Sequence, residues 1–133
     1  MYGRDLAQFL DMAQALVIDD EKDILNILRT LLVKLDFKVK VARDGREGIE
    51  LFEDGHDFDL VITDIRMPRV DGNQVAKHIR GSDKPDTPIV AMSGYNDKAD
   101  GELFDFTLEK PFNIKELMTV VKAIEDENEA HLT

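Results

Sequence analysis

The sequence contains no cysteine and no tryptophan, and its three histidines, His56, His78 and His131, are widely separated. The lack of cysteine excludes disulfide bonds, thiolate nucleophiles and thiolate-bound zinc. The scattered histidines argue against a histidine metal cluster. Glycine and proline are also sparse, with 8 and 4 residues, so the chain has no low-complexity tract of the kind those residues form.

Basic residues are in deficit as well. Lysine and arginine number 17 against 28 aspartates and glutamates, which gives a net charge of −11 among 133 residues. Such a chain is poorly suited to bind nucleic acid or an anionic membrane directly. No apolar run approaches the roughly 20 residues of a membrane span, and the N-terminus lacks a secretory signal pattern. The sequence therefore predicts one soluble, cytoplasmic domain with no direct contact to nucleic acid or membrane.

Five short segments have the pattern of β-strands. Three are continuously apolar, which is typical of strands buried on both faces of a parallel sheet. Two alternate between apolar and polar residues, which indicates a strand with one wet face at a sheet edge. In chain order the segments are Ala15–Ile18, Phe37–Val41 (alternating), Leu60–Ile62, Ile89–Met92 and Phe104–Glu109 (alternating).

Helical spacings of apolar residues lie between these strands. They occur within residues 24–35, 45–54, 72–81 and 114–124. The resulting βα alternation implies parallel strands joined by right-handed crossovers. Because the edge-like strands are the second and the fifth, the pattern favours the strand order 2-1-3-4-5. We therefore predict a flavodoxin-like (βα)5 fold, a doubly wound parallel sheet whose ligands bind at the carboxyl ends of strands one and three.

Polar residues follow the strands at that edge. Strand one ends in Asp19-Asp20-Glu21, strand three in Thr63-Asp64, strand four in Ser93-Gly94, and strand five in Lys110-Pro111. Clustered carboxylates stay ionised together when a cation offsets their charge, and oxygen ligands without His or Cys favour Mg²⁺. Beside a lysine and a hydroxyl, such a site is arranged for phosphoryl transfer, with a carboxylate as the nucleophile.

Four segments at these strand ends carry a family resemblance. They are Val17–Glu21, Asp64–Gly72, Ser93-Gly94 and Lys110–Phe112. Through them the chain resembles the receiver domains of two-component response regulators, over residues 14–127. The resemblance implies that Asp64 is the phosphoacceptor and that a sensor histidine kinase or a phosphotransfer protein supplies the phosphoryl group. Pro68 and Gly72 are expected to shape the loop that leads into the third helix.

The resemblance also implies a ligand set for Mg²⁺, for which Mn²⁺ can substitute. Asp20, Asp64 and the backbone carbonyl of Arg66 are expected to bind the ion, with Asp19 acting mainly through water. Further roles are implied for the strand-end residues: phosphoryl contacts for Ser93, Gly94 and Lys110, and a cis peptide for Lys110-Pro111. The family pattern makes the protein a signalling phosphoacceptor rather than an enzyme, with self-catalysed phosphorylation and dephosphorylation and an unidentified downstream protein partner.

Two features depart from the family pattern. Receiver domains usually carry Tyr or Phe three residues before the lysine as a switch residue, and this sequence has Thr107 there. Tyr95 is the nearest substitute, and Tyr95, Arg66 and Thr107 are the candidate residues for switching or for tuning the lifetime of the acyl phosphate, with Tyr95 and Arg66 expected to tune that lifetime. The segment from Ser93 to Lys110 is also short and polar, so the fourth helix is expected to be shortened, irregular or mobile.

The ends of the chain suggest further features. Residues 1–13 are expected to form an N-terminal extension helix, because Leu6, Phe9, Leu10 and Ala13 align on one helical face, which could pack on the domain or on a second copy in a homodimer. Residues 14–127 would be the receiver domain and residues 128–133 a C-terminal tail. The sequence is compatible with a single-domain regulator or with a module cut from a hybrid kinase.

Three other functions compete with this interpretation. A haloacid-dehalogenase-type phosphohydrolase needs a second Asp two residues after the nucleophile, where this chain has Arg66. A flavodoxin needs a phosphate-binding loop after strand one, where Asp19 and Asp20 would repel FMN phosphate. A phosphorylation-independent scaffold is favoured by Thr107 and the shortened fourth helix, whereas the acidic set with Asp64 and Lys110 counts against it.

Overall fold

The computed structural model describes the backbone of residues 12–132 and the side chains of residues 12–127. The described chain forms one five-stranded parallel sheet flanked by helices on both faces. The strands are β1 (Gln14–Ile18), β2 (Lys38–Ala42), β3 (Leu60–Asp64), β4 (Ile89–Ser93) and β5 (Phe106–Glu109). The described helices are α1 (Lys22–Lys34), α2 (Gly45–Glu53), α3 (Gly72–Arg80) and α4 (Ile114–Leu132). The predicted N-terminal helix, residues 1–13, lies almost entirely outside the described residues.

The sheet has the order β2-β1-β3-β4-β5, and each neighbouring pair is parallel. The predicted flavodoxin-like order is therefore confirmed. The edge assignments follow the hydrophobic pattern, since β3 and β4 are buried at every position whereas β2 and β5 have exposed residues. The connection from β1 leads to β2 on one side of the sheet, and the connection from β3 leads to β4 on the other. The two connections therefore diverge between β1 and β3, which opens a crevice at the carboxyl ends of these strands.

The fourth helix is not shortened but absent. Residues 94–105, all of which the structure describes, form turns and irregular backbone between β4 and β5. These residues are here called the β4–β5 connection. Its polar, glycine-containing sequence lacks the apolar periodicity that would hold a helix against the sheet. The (βα)5 arrangement is thus realised with four helices, and the helix after β5 takes the label α4.

The core lies in two layers, one on each face of the sheet. One layer packs α1 and α4 on the sheet through residues such as Leu28 and Leu117, both fully buried. The other layer packs α2 and α3 through residues such as Phe52 and Ile79. Phe104, which the alternation assigned to the fifth strand, precedes β5 and packs on this second layer.

The last helix is longer than the periodicity indicates. It continues from Ile114 through Leu132, into the segment from residue 128 that the sequence analysis assigned to a tail. None of the helices between residues 12 and 132 combines the length and apolarity needed to cross a membrane.

Candidate functional site

Three carboxylates meet at the carboxyl ends of β1 and β3. The two strands are paired with Ile18 opposite Thr63, so the residues that follow, Asp19, Asp20 and Asp64, come together at one edge. Each offers a carboxylate oxygen, and these three oxygens lie within 4.8 Å of one another. Asp19 and Asp64 are buried, whereas Asp20 is exposed. The sequence-predicted acidic cluster is therefore assembled, with one member open to solvent.

Local structure fixes the backbone of Asp64. The hydroxyl of Thr63 donates to the carbonyl oxygen of Asp64 at 2.9 Å, and the next amide, Ile65, donates to the Met92 carbonyl at 3.1 Å. The amide of Gly72 donates to the Ile65 carbonyl at 2.9 Å, which brings the start of α3 against the strand end. Asp71 and Gln74 form a capping box at that helix start. The end of β3 and the start of α3 thus share one corner, held by backbone hydrogen bonds.

Lys110 reaches the cluster from the end of β5. Its ammonium Nζ lies 3.2 Å from Asp19 Oδ2 and 3.3 Å from Asp64 Oδ1. Its own amide donates to the Ser93 carbonyl at 2.8 Å, which extends the β4–β5 pairing by one residue. The peptide bond between Lys110 and Pro111 is cis, as the resemblance implied. The lysine is therefore held between both buried carboxylates.

Burial and mutual repulsion shift the protonation of this cluster. Desolvation, assisted by the neighbouring Asp19 carboxylate, raises the pKa of Asp64 to about 6 despite the attraction of Lys110. Desolvation likewise raises the pKa of Asp19. Burial alone would lower the pKa of Lys110, but the two carboxylates outweigh burial and raise the pKa of the ammonium. One lysine therefore compensates the carboxylates incompletely, and a further cation would complete the charge balance.

The donor set fits Mg²⁺. All three side chains offer carboxylate oxygens, which are the ligands that hard divalent cations prefer. Asp20 supplies the open side through which an ion would enter. Asp19 Oδ1 accepts a hydrogen bond from the Glu21 amide at 2.8 Å, which orients this carboxylate toward the cluster. These three carboxylates therefore fit a Mg²⁺ ion at the edge where the sequence predicts one.

A cleft of about 450 Å³ opens above the cluster. Asp20, Asp64, Gly94 and Lys110 line it, and Ser93 lies beside it in an adjoining hollow that Gly94 and Lys110 share. Gly94 therefore shares the cleft with Asp64 and Lys110, and Ser93 lies next to Gly94 and Lys110 in the adjoining hollow. These are the residues that the sequence analysis assigned to phosphoryl contacts.

The candidate switch residues are placed differently from one another. Tyr95 lines the cleft with a relative exposure of 92%, so its ring stands free at the rim. Arg66 also lines the cleft, through a largely exposed side chain. Thr107 is exposed on β5, opposite Ala91 of β4, and is not among the residues that line the cleft.

Sequence reasoning missed one residue of the cleft, Asp97. Its carboxylate pairs with the guanidinium of Arg66, Nε to Oδ1, at 2.8 Å, and accepts a hydrogen bond from the Gly94 amide at 2.7 Å. The local signal for this contact is the turn-forming composition of residues 94–97, because an Asp side chain in a turn can bond a neighbouring backbone amide. Such a contact leaves no hydrophobic periodicity that would single out Asp97.

Comparison with known proteins places this site in a family. The family model described as the response regulator receiver domain matches residues 15–122. The chain is 38% identical over 112 residues to ycf27 of Cyanidium caldarium, named as a probable transcriptional regulator, with 82% of this chain and 45% of that protein covered. The chain spans about half the length of the curated relatives that it matches first.

Two solved structures extend the comparison to the whole fold. A response regulator receiver domain protein from Clostridium thermocellum superposes with a TM-score of 0.81 and 28% identity, over 90% of this chain and 98% of that one. The response regulator TrrA from Thermotoga maritima, solved in complex with Mg²⁺ and BeF, gives a TM-score of 0.77 and 34% identity, over 85% and 99%. With the matched family model, the strand order and the acidic cluster, the chain belongs to the response regulator receiver domains of two-component systems.

Proposed function

We propose that this chain accepts a phosphoryl group on the carboxylate of Asp64, in a Mg²⁺-dependent reaction with a sensor histidine kinase or a phosphotransfer protein. The acyl phosphate then switches the binding of a downstream protein. One observation carries the proposal: the buried Asp64 carboxylate lies 3.3 Å from Lys110 Nζ and within 4.8 Å of the carboxylates of Asp19 and Asp20.

Family membership supplies the general frame. Receiver domains are signalling phosphoacceptors that bind Mg²⁺ at an acidic cluster and interact with histidine kinases or phosphotransfer proteins. What is proposed for this chain is the assignment of each step to its own residues.

The acceptor step is a displacement at phosphorus. A carboxylate oxygen of Asp64 attacks the phosphorus of a phosphohistidine, the new P–O bond forms, and the P–N bond breaks with its electron pair returning to the imidazole. Asp64 must be ionised to attack, and its pKa of about 6 leaves it ionised at neutral pH. The product is an acyl phosphate on Asp64.

The surrounding residues stabilise the charge of the phosphoryl oxygens. The Lys110 ammonium can transfer its contact from the Asp64 carboxylate to a phosphoryl oxygen. It stays in the site during this change because it also pairs with Asp19, at 3.2 Å. The Gly94 amide and the Ser93 hydroxyl are the neutral donors beside the cleft. Bound Mg²⁺ would neutralise oxygens of the phosphoryl group, with Asp20, Asp64 and the Arg66 carbonyl as its ligands and Asp19 acting through water.

We assign self-catalysed dephosphorylation to the same site. Water attacks the phosphorus in line with the P–O bond to Asp64, that bond breaks, and inorganic phosphate and the free carboxylate are released, with the water proton passing to solvent. Tyr95 and Arg66, at the exposed rim of the cleft, lie where side chains screen this water. They therefore tune the lifetime of the acyl phosphate.

The proposal also covers the downstream target, the cellular location, the metal ion and the oligomeric state. The downstream target is a protein rather than nucleic acid, because a net charge of −11 opposes direct contact with phosphate backbones. We place the chain in the cytoplasm, where the phosphodonor proteins act, and expect Mn²⁺ to substitute for Mg²⁺ at the oxygen ligands. We also propose a homodimer through the N-terminal extension, which sedimentation tests.

Intact mass spectrometry after incubation with acetyl phosphate tests the acceptor. The expected result is one added phosphoryl group that requires Mg²⁺, is labile to hydroxylamine, and is absent from Asp64→Asn. The exposed Asp83→Asn serves as the matched control, because it removes the same charge away from the cleft and should be phosphorylated normally. An adduct that persists in Asp64→Asn would contradict the assignment. No adduct, with Mg²⁺ binding intact, would favour the phosphorylation-independent scaffold.

A further inference from the structure

We propose that the Asp97 carboxylate is an internal competitor of the phosphoryl group for the Gly94 amide. Phosphorylation of Asp64 then acts on the β4–β5 connection by displacing Asp97 from this amide. The inference rests on the proposed function of Asp64 and adds to it the residue through which the signal leaves the site.

Asp97 is bound at both of its carboxylate oxygens. Oδ2 accepts a hydrogen bond from the Gly94 amide at 2.7 Å, and Oδ1 pairs with Arg66 Nε at 2.8 Å. The backbone closes the same turn, because the Asp97 amide donates to the Gly94 carbonyl at 3.1 Å. The Asp97 side chain is only 9% exposed, so its carboxylate is largely shielded from water, whereas the Arg66 side chain that it pairs with is exposed. A charged hydrogen bond in such surroundings is stronger than one between neutral groups.

Gly94 also lies on the cleft that a phosphoryl group on Asp64 would occupy, so its amide is within the reach of that group's surroundings. Asp97, Gly94, Asp64 and Lys110 line one cleft. A backbone amide has one hydrogen, so it cannot fully serve two anions. Phosphorylation replaces the single charge of the Asp64 carboxylate with the nearly two negative charges of an acyl phosphate, so the Asp97 carboxylate then faces more like charge in the same cleft. Both effects favour the departure of Asp97 from Gly94 when Asp64 is phosphorylated.

Residues 98–103 of the β4–β5 connection are attached to α3 rather than to the cleft. The side chain of Asn73, on α3, donates to the Lys98 carbonyl at 2.8 Å and accepts from the Asp100 amide at 2.8 Å. Farther along, Arg80 donates to the Leu103 carbonyl at 3.1 Å. Release of Asp97 therefore frees residues 94–97 beside the cleft while α3 still holds the rest. This stretch, with the exposed ring of Tyr95, is the surface that changes.

Competition predicts effects of opposite sign in the two states. Asp97→Ala removes contacts of the resting protein, so the unphosphorylated form should become less stable. The same substitution leaves the Gly94 amide free, so the phosphorylated form should become easier to reach. A residue with a purely structural role would instead weaken both forms.

The test measures binding of beryllofluoride, a phosphoryl mimic, in the presence of Mg²⁺. Circular dichroism follows thermal unfolding at each concentration of beryllofluoride, and the rise in melting temperature reports its binding. This measurement needs no tryptophan, which the chain lacks. For Asp97→Ala we expect a lower melting temperature without the mimic and an apparent Kd about three- to tenfold lower than that of the wild type. Asp97→Asn keeps an oxygen acceptor for Gly94 and should be intermediate. Asp100→Ala, which removes the same charge from the same connection, should bind as the wild type does.

Hydrogen exchange of residues 94–97 gives a second measurement. Exchange should rise in the wild type when beryllofluoride and Mg²⁺ bind, and it should already be high in Asp97→Ala. If Asp97→Ala does not fold, Asp97→Asn carries the test. Equal or weaker binding of the mimic by the Asp97 variants would overturn the competition while leaving the acceptor role intact. Failure of the wild type to bind the mimic or to form the acetyl phosphate adduct would instead remove the proposed function itself.

Discussion

Gly72 packs directly on the main chain of Asp64. A Cβ atom built on Gly72 would stand 2.2 Å from the carbonyl oxygen of Asp64, a distance that no side chain can tolerate. The first residue of α3 is thus in contact with the backbone of Asp64, and the Gly72 amide donates to the carbonyl of Ile65, one residue farther on. A glycine at this position lets helix and strand end approach so closely that neither can move alone.

We expect Gly72→Ala to destabilise the fold by about 2 kcal/mol, as overpacked substitutions do. The obstructing atoms belong to the main chain, so the strand end or the helix start must shift. Denaturant unfolding measures the loss of stability, and the acetyl phosphate reaction should slow as well because the acceptor moves. Gly101→Ala is the matched control, since no heavy atom of the described residues lies within 4 Å of its Cβ position. Equal stability of the two variants would refute the close approach.

The raised pKa of Asp64 gives stability a definite pH dependence in Mg²⁺-free buffer. The unfolded chain releases this proton near 3.8, whereas the folded protein keeps it up to about 6. The folded state therefore binds more protons between these values, and the free energy of unfolding falls as the pH rises through that window. The difference between the two pKa values corresponds to about 3 kcal/mol in the free energy of unfolding, and this stabilisation is lost by neutral pH.

Asp64→Asn should accordingly be more stable than the wild type at about pH 7.5 and lose most of this pH dependence. Thermal unfolding followed by circular dichroism across the window measures both effects. Asp83→Asn, an exposed carboxylate, should track the wild type. Lower stability of Asp64→Asn at neutral pH would mean that the pair with Lys110 outweighs desolvation, contrary to the raised pKa.

The sequence predicts the sheet and the acidic cluster because both depend on local pattern. Continuous apolar runs indicate central strands and alternation indicates edges, so strand order follows from burial. The carboxyl ends of β1 and β3 must then bring Asp19, Asp20 and Asp64 together. These features need no knowledge of side-chain contacts between distant segments.

The β4–β5 connection could not be derived in the same way. Its conformation depends on single polar contacts across the fold, such as those that Asn73 makes to Lys98 and Asp100. Hydrophobic periodicity carries no information on such pairs. The contacts of Asp97 are equally absent from the periodicity, and the predicted short helix is replaced by turns and irregular backbone. The roles proposed for Thr107 and Tyr95 remain predictions, although only Tyr95 of the two lines the cleft.

Tyr95 should lengthen the life of the acyl phosphate by limiting access of water. Its ring is 92% exposed at the rim of the cleft, so Tyr95→Ala removes cover without disturbing the core. We expect hydrolysis to accelerate about threefold, an effect of water exclusion. Decay of the phosphorylated mass after removal of acetyl phosphate gives the rate. Tyr95→Phe, which keeps the ring, should decay as the wild type does, and an unchanged rate in Tyr95→Ala would exclude a screening role.

Asn73 should determine the local stability of the β4–β5 connection. Its amide makes one donor and one acceptor bond to the backbone, and Asn73→Ala loses both, at a cost of about 1 to 2 kcal/mol. The higher helix propensity of alanine offsets part of this loss in α3, by about 0.5 kcal/mol. Global unfolding should therefore change less than local opening, and hydrogen exchange at the Asp100 amide should quicken about tenfold.

Two variants separate that effect from a general weakening of helices. Asn73→Asp keeps an acceptor for the Asp100 amide but faces the Lys98 carbonyl with an oxygen, so protection at Asp100 should survive in part while the Lys98 contact is lost. Asn26→Ala makes the same chemical change at an exposed position of α1 and should leave exchange in the connection unaltered. If Asn73→Ala and Asn26→Ala gave the same exchange at Asp100, the connection would have to be held by its own turns, and α3 would have no part in presenting the surface beside the cleft.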